Sequence, residues 1–213
     1  SLCPLQHHGR RGITHLGSTG LAERLDPESM HDLLDRYTDV CSAVIERYGG
    51  TVEGFVGDAV VGVFGLTELH EDDALRAVRA AVDLREACAA LSAELAGEQG
   101  VEISIKLGVE SGQVFISSGE RRSTFAAGDA FNVAARLEGA AAEGEILLGE
   151  TVYRMVRRAV RAERLEPLAL KGRTAKVQAW RLVDPGGRGP GAASSAREPV
   201  RKPRARASGP SRS

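Results

Sequence analysis

The sequence has few aromatic residues and no long apolar run. Aromatic residues make up 4% of the 213 residues while hydrophobic residues make up 42%, which predicts a globular core built from Val, Leu, Ile and Ala. No segment approaches the roughly 18 apolar residues of a membrane span, and the N-terminus lacks the residue order of a secretory signal. We therefore expect a soluble, cytoplasmic chain with one domain and tails.

Cysteine is also scarce. The sequence has three cysteines, Cys3, Cys41 and Cys88. Their number is odd, and their spacing is not that of a metal site. Cys41 and Cys88 fall inside helical patterns, where cysteine acts as a small buried hydrophobic residue. The sequence therefore favours neither a disulfide framework nor a cysteine-ligated metal.

Charge is unevenly distributed along a chain whose net charge is -1. Residues 184–213 carry seven of the 28 basic residues but only two of the 29 acidic ones, so this tail is positive and the rest is negative. The tail is rich in Pro, Gly, Ser and Arg and has no aromatic residue for base stacking. We predict a disordered basic linker, with an arm that binds nucleic acid or anionic lipid as the alternative.

Hydrophobic periodicity predicts alternating helices and strands from Asp26 onward. Apolar residues recur at three- and four-residue steps over 27–48 and 72–96, which predicts two amphipathic helices. Gly57-Asp58 separates two short apolar runs, so Asp58 is predicted at the tip of a tight hairpin. The remaining predicted elements are strands at 51–56, 59–64, 101–109, 113–117, 145–148, 165–170 and 176–183, and helices at 129–142 and 150–157. This order predicts an α+β fold, a mixed sheet with helices packed on it.

Three short segments carry the chemistry of the sequence. They are Gly17-Ser18-Thr19 before a helix, Gly57-Asp58-Ala59 at the hairpin, and residues 128–136 (GDAFNVAAR) at the start of a helix. Asn132 and Arg136 are four residues apart and so share one helical face, where an amide and a guanidinium can both address an anion. A solvated polar stripe is the alternative for such a pair considered alone.

In this order and spacing, the three segments resemble the class III adenylate and guanylate cyclases, especially the bacterial branch. The resemblance covers residues 16–183 and extends to the connecting segments LAERLDPE, IERYGGTV, HEDDALRAVRA and LALKG. It implies a nucleotide cyclase homology domain over 16–183 with a ferredoxin-like α+β core. It also implies a head-to-tail homodimer with active sites between the protomers, which converts ATP, or alternatively GTP, to the cyclic nucleotide and pyrophosphate.

The resemblance also implies a set of site residues. In the family, two Asp carboxylates hold two Mg²⁺ or Mn²⁺ ions on the triphosphate and so neutralise charge on the leaving pyrophosphate. Asp58 matches the second metal carboxylate. Asn132 and Arg136 match the pair that orients the ribose and stabilises charge on the α-phosphate. Lys171 matches the lysine that grips the other phosphates, with Arg173 or a solvated loop charge as the alternatives.

The sequence departs from the family pattern at the first metal carboxylate. That Asp is expected three residues before Gly17, where this chain has Thr14. A neutral hydroxyl leaves two dications poorly compensated, so we expect metal binding to be greatly weakened. Replacement by His15 or by the His7-His8 pair is disfavoured because His prefers softer metals.

Two further departures affect the choice of base. The purine-selecting Lys, four residues before Asp58, is Gly54, and the partner position, seven before Asn132, holds Phe125, which cannot form a side-chain hydrogen bond. These residues do not distinguish ATP from GTP. ATP is favoured here because the resemblance is to a branch in which most members use it.

Residues 1–15 do not fit the pattern that follows them. They contain no alternation and no apolar run, which disfavours a central strand. We therefore expect the first strand to be degraded or missing and this segment to be disordered or non-native. Because the likeness begins sharply at Leu16, we hypothesise a shifted reading frame or wrong start upstream of it, which the upstream coding DNA would decide.

Three functions are consistent with these observations. The first is an active nucleotide cyclase. The second is a catalytically inactive cyclase homology module that dimerises or senses nucleotide within a larger protein, which Thr14 and Gly54 favour. The third, a nucleic-acid binder that uses the basic tail, is disfavoured because the body is acidic and the predicted sheet has no aromatic stacking motif.

Overall fold

A mixed β-sheet organises the fold. The computed structural model describes residues 6–16, 26–56, 59–66, 68–115, 129–168 and 176–186. Within them the sheet has seven strands: β1 (Gln6–Leu16), β2 (Gly50–Val56), β3 (Ala59–Phe64), β4 (Ile105–Phe115), β5 (Ile146–Gly149), β6 (Arg161–Arg164) and β7 (Ala179–Asp184). Their spatial order is β2-β3-β1-β4-β5-β7-β6. Strands β4 and β5 are parallel, and every other neighbouring pair is antiparallel.

Helices cover both faces of this sheet. They are α1 (Pro27–Arg47), α2 (Asp73–Gln99), α3 (Asp129–Ala140) and α4 (Glu150–Val156). Strand β3 shows how the layers divide. Val60 and Phe64 join the large core formed with α1, α2 and α4, whereas Val61 and Val63 pack with Ala134 of α3 on the other face. The predicted α+β fold with helices packed on a mixed sheet is therefore confirmed.

The start and end of α1 follow the sequence signals. Asp26 accepts hydrogen bonds from the backbone N–H groups of Glu28 and Ser29, each at 3.1 Å, and Pro27 occupies the first turn. Hydrogen bonds from Ser29 lower the pKa of Asp26. The helix ends at a turn in which Gly49 has a φ of 72°, a conformation that favours glycine.

Helices α1 and α2 pack together through buried thiols and surface ion pairs. Cys41 and Cys88 are buried at 0% and 1% exposure, as their helical patterns predict. A hydrogen bond with Cys88, together with burial, raises the pKa of Cys41. At the surface, Arg36 pairs with Glu98 at 2.7 Å and Arg47 pairs with Asp83 at 2.9 Å. The interface thus combines an apolar centre with a charged rim.

The backbone of Gln6–Leu16 forms β1, which corrects the expectation of a degraded or missing first strand. β1 lies at the centre of the sheet, pairing with β3 over Arg10–His15 and with β4 along its whole length. The physical reason is that ladder hydrogen bonds are made by backbone groups, so a segment without alternating apolar side chains can fill the slot between two strands. The origin of residues 1–15 stays a hypothesis.

Strand β4 is continuous where the sequence predicts two strands, 101–109 and 113–117, joined through 110–112. Glu110 pairs with Arg11 and Gly112 with Gly9 in the β1–β4 ladder. Because β1 provides a partner along all of β4, the ladder continues through the glycine rather than turning back. Near the C-terminal end, the closing strands β6 and β7 also lie a few residues from their predicted positions, and Leu168 and Val177 form an isolated bridge.

The two edges of the sheet are β2 and β6. Strand β6 is four residues long, and its Arg161, Glu163 and Arg164 side chains are exposed. In β2, the register against β3 shifts between Val52 and Gly54, which marks a β-bulge. Over the ranges given above, no helix has both the length and the apolar character needed to cross a membrane.

Candidate functional site

Helix α3 carries the predicted amide and guanidinium pair. Asn132 is exposed and Arg136 is partly buried, one helical turn further on. The opposite side of the helix is buried, with Ala130 at 6% exposure and Ala134 at 0%. The structure therefore presents the polar groups of Asn132 and Arg136 away from the sheet, where a ligand or a second molecule can reach them.

Two glycines of β4 explain how α3 comes to lie so close to the sheet. Gly108 and Gly112 are four residues apart on one strand and therefore share a face. Each would place an added Cβ within 3 Å of an atom of α3. The sequence reasoning missed these residues, although a signal was present: two glycines at a spacing of four in a strand, and Ala130 and Ala134 at the same spacing in a helix.

The predicted metal carboxylate, Asp58, lies outside the described residues, but the strands beside it are placed. Val56 of β2 pairs with Ala59 of β3, so the two strands flank positions 57 and 58. In the β1–β3 ladder, Thr14 stands opposite Val60 and His15 opposite Ala59. The backbone thus brings position 14 to the strand that follows Asp58. Lys171, Arg173 and Phe125 also lie outside the described residues.

The described residues do not by themselves form a two-metal site. In the described ranges, no group of three or more His, Cys, Asp or Glu is arranged to hold a metal ion. Position 14, which the sheet brings beside the hairpin, carries a neutral hydroxyl instead of a carboxylate. A site with the Asp58 carboxylate alone would leave most of the charge of two dications uncompensated.

Gly54, at the position of the purine-selecting Lys, has room around it. A Cβ added to Gly54 would meet no atom within 4 Å. The β-bulge between Val52 and Gly54 alters the register of the strand just before the hairpin. The site therefore has no side chain at this position, and the backbone has space for one.

Glu110 is a buried carboxylate of β4 that faces the start of α4. It is 7% exposed and lies on β4 between Gly108 and Gly112. The backbone N–H of Ser111 donates to its Oε1 at 2.7 Å, and the Thr151 side chain and the Val152 backbone also donate to it. Burial raises the pKa of Glu110 and these hydrogen bonds only partly offset that effect. Its carboxylate therefore joins β4 to the start of α4.

Glu110→Gln should change how stability depends on pH. Because burial raises the pKa of Glu110 in the folded chain, the folded state binds a proton at a higher pH than the unfolded state does. The wild type therefore gains stability as pH falls toward the ordinary carboxyl pKa and loses it as pH rises through the folded-state pKa. Urea unfolding at about pH 5 and about pH 8 measures this.

We expect the wild type to be more stable, relative to the Gln variant, at the lower pH. Glu102→Gln, which removes an exposed carboxylate close to the same strand, corrects for the loss of one negative charge. An equal difference between wild type and Glu110→Gln at both pH values would contradict the assignment.

Comparison with known proteins places the chain among nucleotide cyclases. The family model of the adenylate and guanylate cyclase catalytic domain matches residues 14–184. Adenylate cyclase 2 of Rhizobium meliloti is 30% identical over 198 residues, which cover 90% of this chain and 54% of that protein. An uncharacterized protein of Mycobacterium tuberculosis is 33% identical over 174 residues, which cover 81% of this chain and 40% of that protein.

The fold agrees with a solved cyclase structure. The adenylyl cyclase CyaB from P. aeruginosa superposes with a TM-score of 0.80 at 27% identity, over 86% of this chain and 97% of that one. By contrast, the chain spans only 40% and 54% of the lengths of the two relatives described above. The match is thus to a catalytic domain rather than to the whole of those longer proteins.

Proposed function

Because this chain belongs to the class III adenylate and guanylate cyclase family, we propose that it is a nucleotide cyclase domain with low turnover. It converts ATP to 3′,5′-cyclic AMP and pyrophosphate for intracellular signalling. The observation that carries the proposal is the outward-facing amide and guanidinium pair, Asn132 and Arg136, on a helix seated against the centre of the sheet. The family match over residues 14–184 supports the reaction type.

Each proposed residue has a role set by its chemistry. The ribose 3′-hydroxyl releases its proton to solvent as its oxygen bonds to the α-phosphorus, and the bond from that phosphorus to the leaving pyrophosphate breaks. The Asn132 amide can hold the ribose for this attack, while the Arg136 guanidinium stabilises charge that develops on the α-phosphoryl oxygens. Lys171 is proposed to bind the other phosphates, and Asp58 to serve as the metal carboxylate for Mg²⁺ or Mn²⁺. Thr14 is the reason that we expect slow turnover.

The site is proposed to form between two copies of the chain. One protomer would supply Asp58 and the other Asn132 and Arg136, in a head-to-tail homodimer. Support comes from the orientation of α3. Its polar side faces away from its own sheet, and therefore also away from the β2–β3 pair that flanks the hairpin. An assay of the purified chain with Mn²⁺ and either ATP or GTP, at concentrations that favour the dimer, tests the reaction and its substrate.

Mixing two inactive variants tests whether the site is shared. We expect Asp58→Ala and Asn132→Ala, each made in a Thr14→Asp background, to be inactive alone and to regain activity when they are mixed. Random pairing would restore about one quarter of the sites, because half of the dimers are mixed and each mixed dimer has one intact site. Cyclic product is the measurement. No gain on mixing, with subunit exchange shown by mass spectrometry, would contradict a shared site.

An inactive homology module is the second candidate function. The specific observation that favours it is the neutral residue at position 14, which the sheet places beside the hairpin. Such a module would bind ATP and dimerise without forming product. Calorimetric binding of ATP together with no cyclic product, even in the Thr14→Asp variant, would favour this function over the enzyme.

A further inference from the structure

The contact between α3 and β4 is made at two glycines that differ in what they face. A Cβ on Gly108 would lie 2.2 Å from the backbone oxygen of Ala134 and 2.6 Å from the backbone nitrogen of Glu138. A Cβ on Gly112 would lie 2.7 Å from the methyl carbon of Ala130. Neither glycine has a positive φ, so alanine is allowed by the backbone at both positions and its cost is steric.

The sheet cannot easily yield at these two positions. Strand β4 is central, with β1 on one side and β5 on the other. Its alternate residues Ile105, Leu107 and Val109 are 1–2% exposed and belong to the core on the opposite face. A methyl group added to β4 therefore moves the helix rather than the strand, because close-packed cores transmit strain.

The contacts lie next to the residues of the proposed site. Ala130 precedes Asn132 by two residues, and Ala134 lies midway between Asn132 and Arg136. Restoring ordinary contact at Gly112 or Gly108 requires a displacement of about 1 Å, and misplacement of that size in an active site can cost about 100-fold in rate. The separation of α3 from the sheet thus bears directly on where the amide and guanidinium stand.

We propose that Gly108 and Gly112 are positioning residues, which set the distance of α3 from the sheet and so place Asn132 and Arg136 for the reaction. The inference rests on the proposed cyclase function and extends it to two residues whose close neighbours are atoms of α3. Gly112 is the more informative of the two, because its obstacle is a single methyl group that can be removed.

Moving that methyl group from the helix to the strand tests the inference. In a Thr14→Asp background, Gly112→Ala should lower kcat about 10- to 100-fold with little change in KM. Adding Ala130→Gly should restore kcat to within about threefold of the parent, because the pair again contains one methyl group. Gly108→Ala should lower kcat in the same way, but Ala134→Gly should not rescue it, since the obstacle is a backbone oxygen.

The free energy of unfolding distinguishes a positioning role of Gly112 from a merely structural one. The Gly112→Ala/Ala130→Gly variant exchanges one glycine for one alanine in each direction, so it should turn over faster than Gly112→Ala without a higher urea midpoint than the parent. Gly139→Ala is the matched control: it lies on the same helix, and its Cβ would meet no atom within 4 Å. Undiminished kcat in Gly112→Ala, or no recovery in the double variant, would overturn the inference.

Amide hydrogen exchange of α3 tests the packing of the helix without requiring activity, so it separates failure of this inference from failure of the proposed function. A parent that forms no cyclic product contradicts the enzyme, and exchange then decides the inference. Faster α3 exchange in Gly112→Ala that returns to the parent rate in the double variant supports the packing argument. Unchanged exchange in Gly112→Ala overturns it.

Discussion

Thr14→Asp is expected to raise the rate of cyclic-nucleotide formation on the order of 100-fold, because it supplies the second anionic ligand for two dications. The β1–β3 register places position 14 opposite Val60, two residues along the chain from Asp58. A carboxylate there would stand beside the hairpin, as the family pattern implies for its two metal ligands. The initial rate of product formation with Mg²⁺ and with Mn²⁺ is the measurement.

Thr14→Asn is the matched control, since asparagine has nearly the shape of aspartate without its charge. We expect the Asn variant to stay at the wild-type rate, because a neutral amide compensates the dications as poorly as the hydroxyl does. Size-exclusion chromatography of all three proteins would verify equal dimer content. Equal rates for wild type, Thr14→Asp and Thr14→Asn would show that position 14 is not a metal-ligand position in this chain.

Asn132→Ala and Arg136→Ala, each in the Thr14→Asp background, are expected to lower kcat about 10²- to 10³-fold. Both side chains present polar groups away from the sheet, and Asn132 is exposed. Removal of a group that acts only in the transition state lowers kcat and kcat/KM together while KM changes little. Steady-state kinetics with ATP measures both constants.

Arg158→Ala provides the control for loss of one arginine charge, because Arg158 follows α4 and lies outside α3. We expect it to turn over at the parent rate. Far-ultraviolet circular dichroism and urea unfolding should show little change for Asn132→Ala, since exposed substitutions usually alter stability by about 0.5 kcal/mol or less. A parent-like kcat in both α3 variants would exclude the proposed roles of Asn132 and Arg136.

The helices and the hairpin strands could be predicted because their signals are local. The Asp26 cap, the apolar spacing that follows it and the Gly49-Gly50 stop together define α1 to within one residue at its end. The same holds for the strands on either side of Gly57-Asp58, since Val56 pairs with Ala59 as the predicted hairpin requires. The shared helical face of Asn132 and Arg136 could likewise be predicted, because a helix alone places residues four apart on one face.

The central strand and the close helix contact could not be predicted because neither is local. The segment around His7 and His8 contains no strand pattern, and its place in the sheet depends on β3 and β4, which are distant in sequence. The break between strands predicted at Glu110-Ser111-Gly112 was wrong for the same reason, since β1 holds those residues in an extended ladder. In the sequence Gly112 falls between two predicted strands, whereas in the structure it leaves space for Ala130.

The edges of the sheet limit how copies of this chain can associate. Extension of the sheet past β6 would require a neighbouring strand to lie against a row of arginine and glutamate side chains, at a cost in desolvation. On the other side, the displaced register at Val52 and Gly54 interrupts the regular row of amide and carbonyl groups that an added strand would need. Edge-to-edge growth into filaments is therefore disfavoured, in keeping with the closed dimer that we propose through the layer that contains α3.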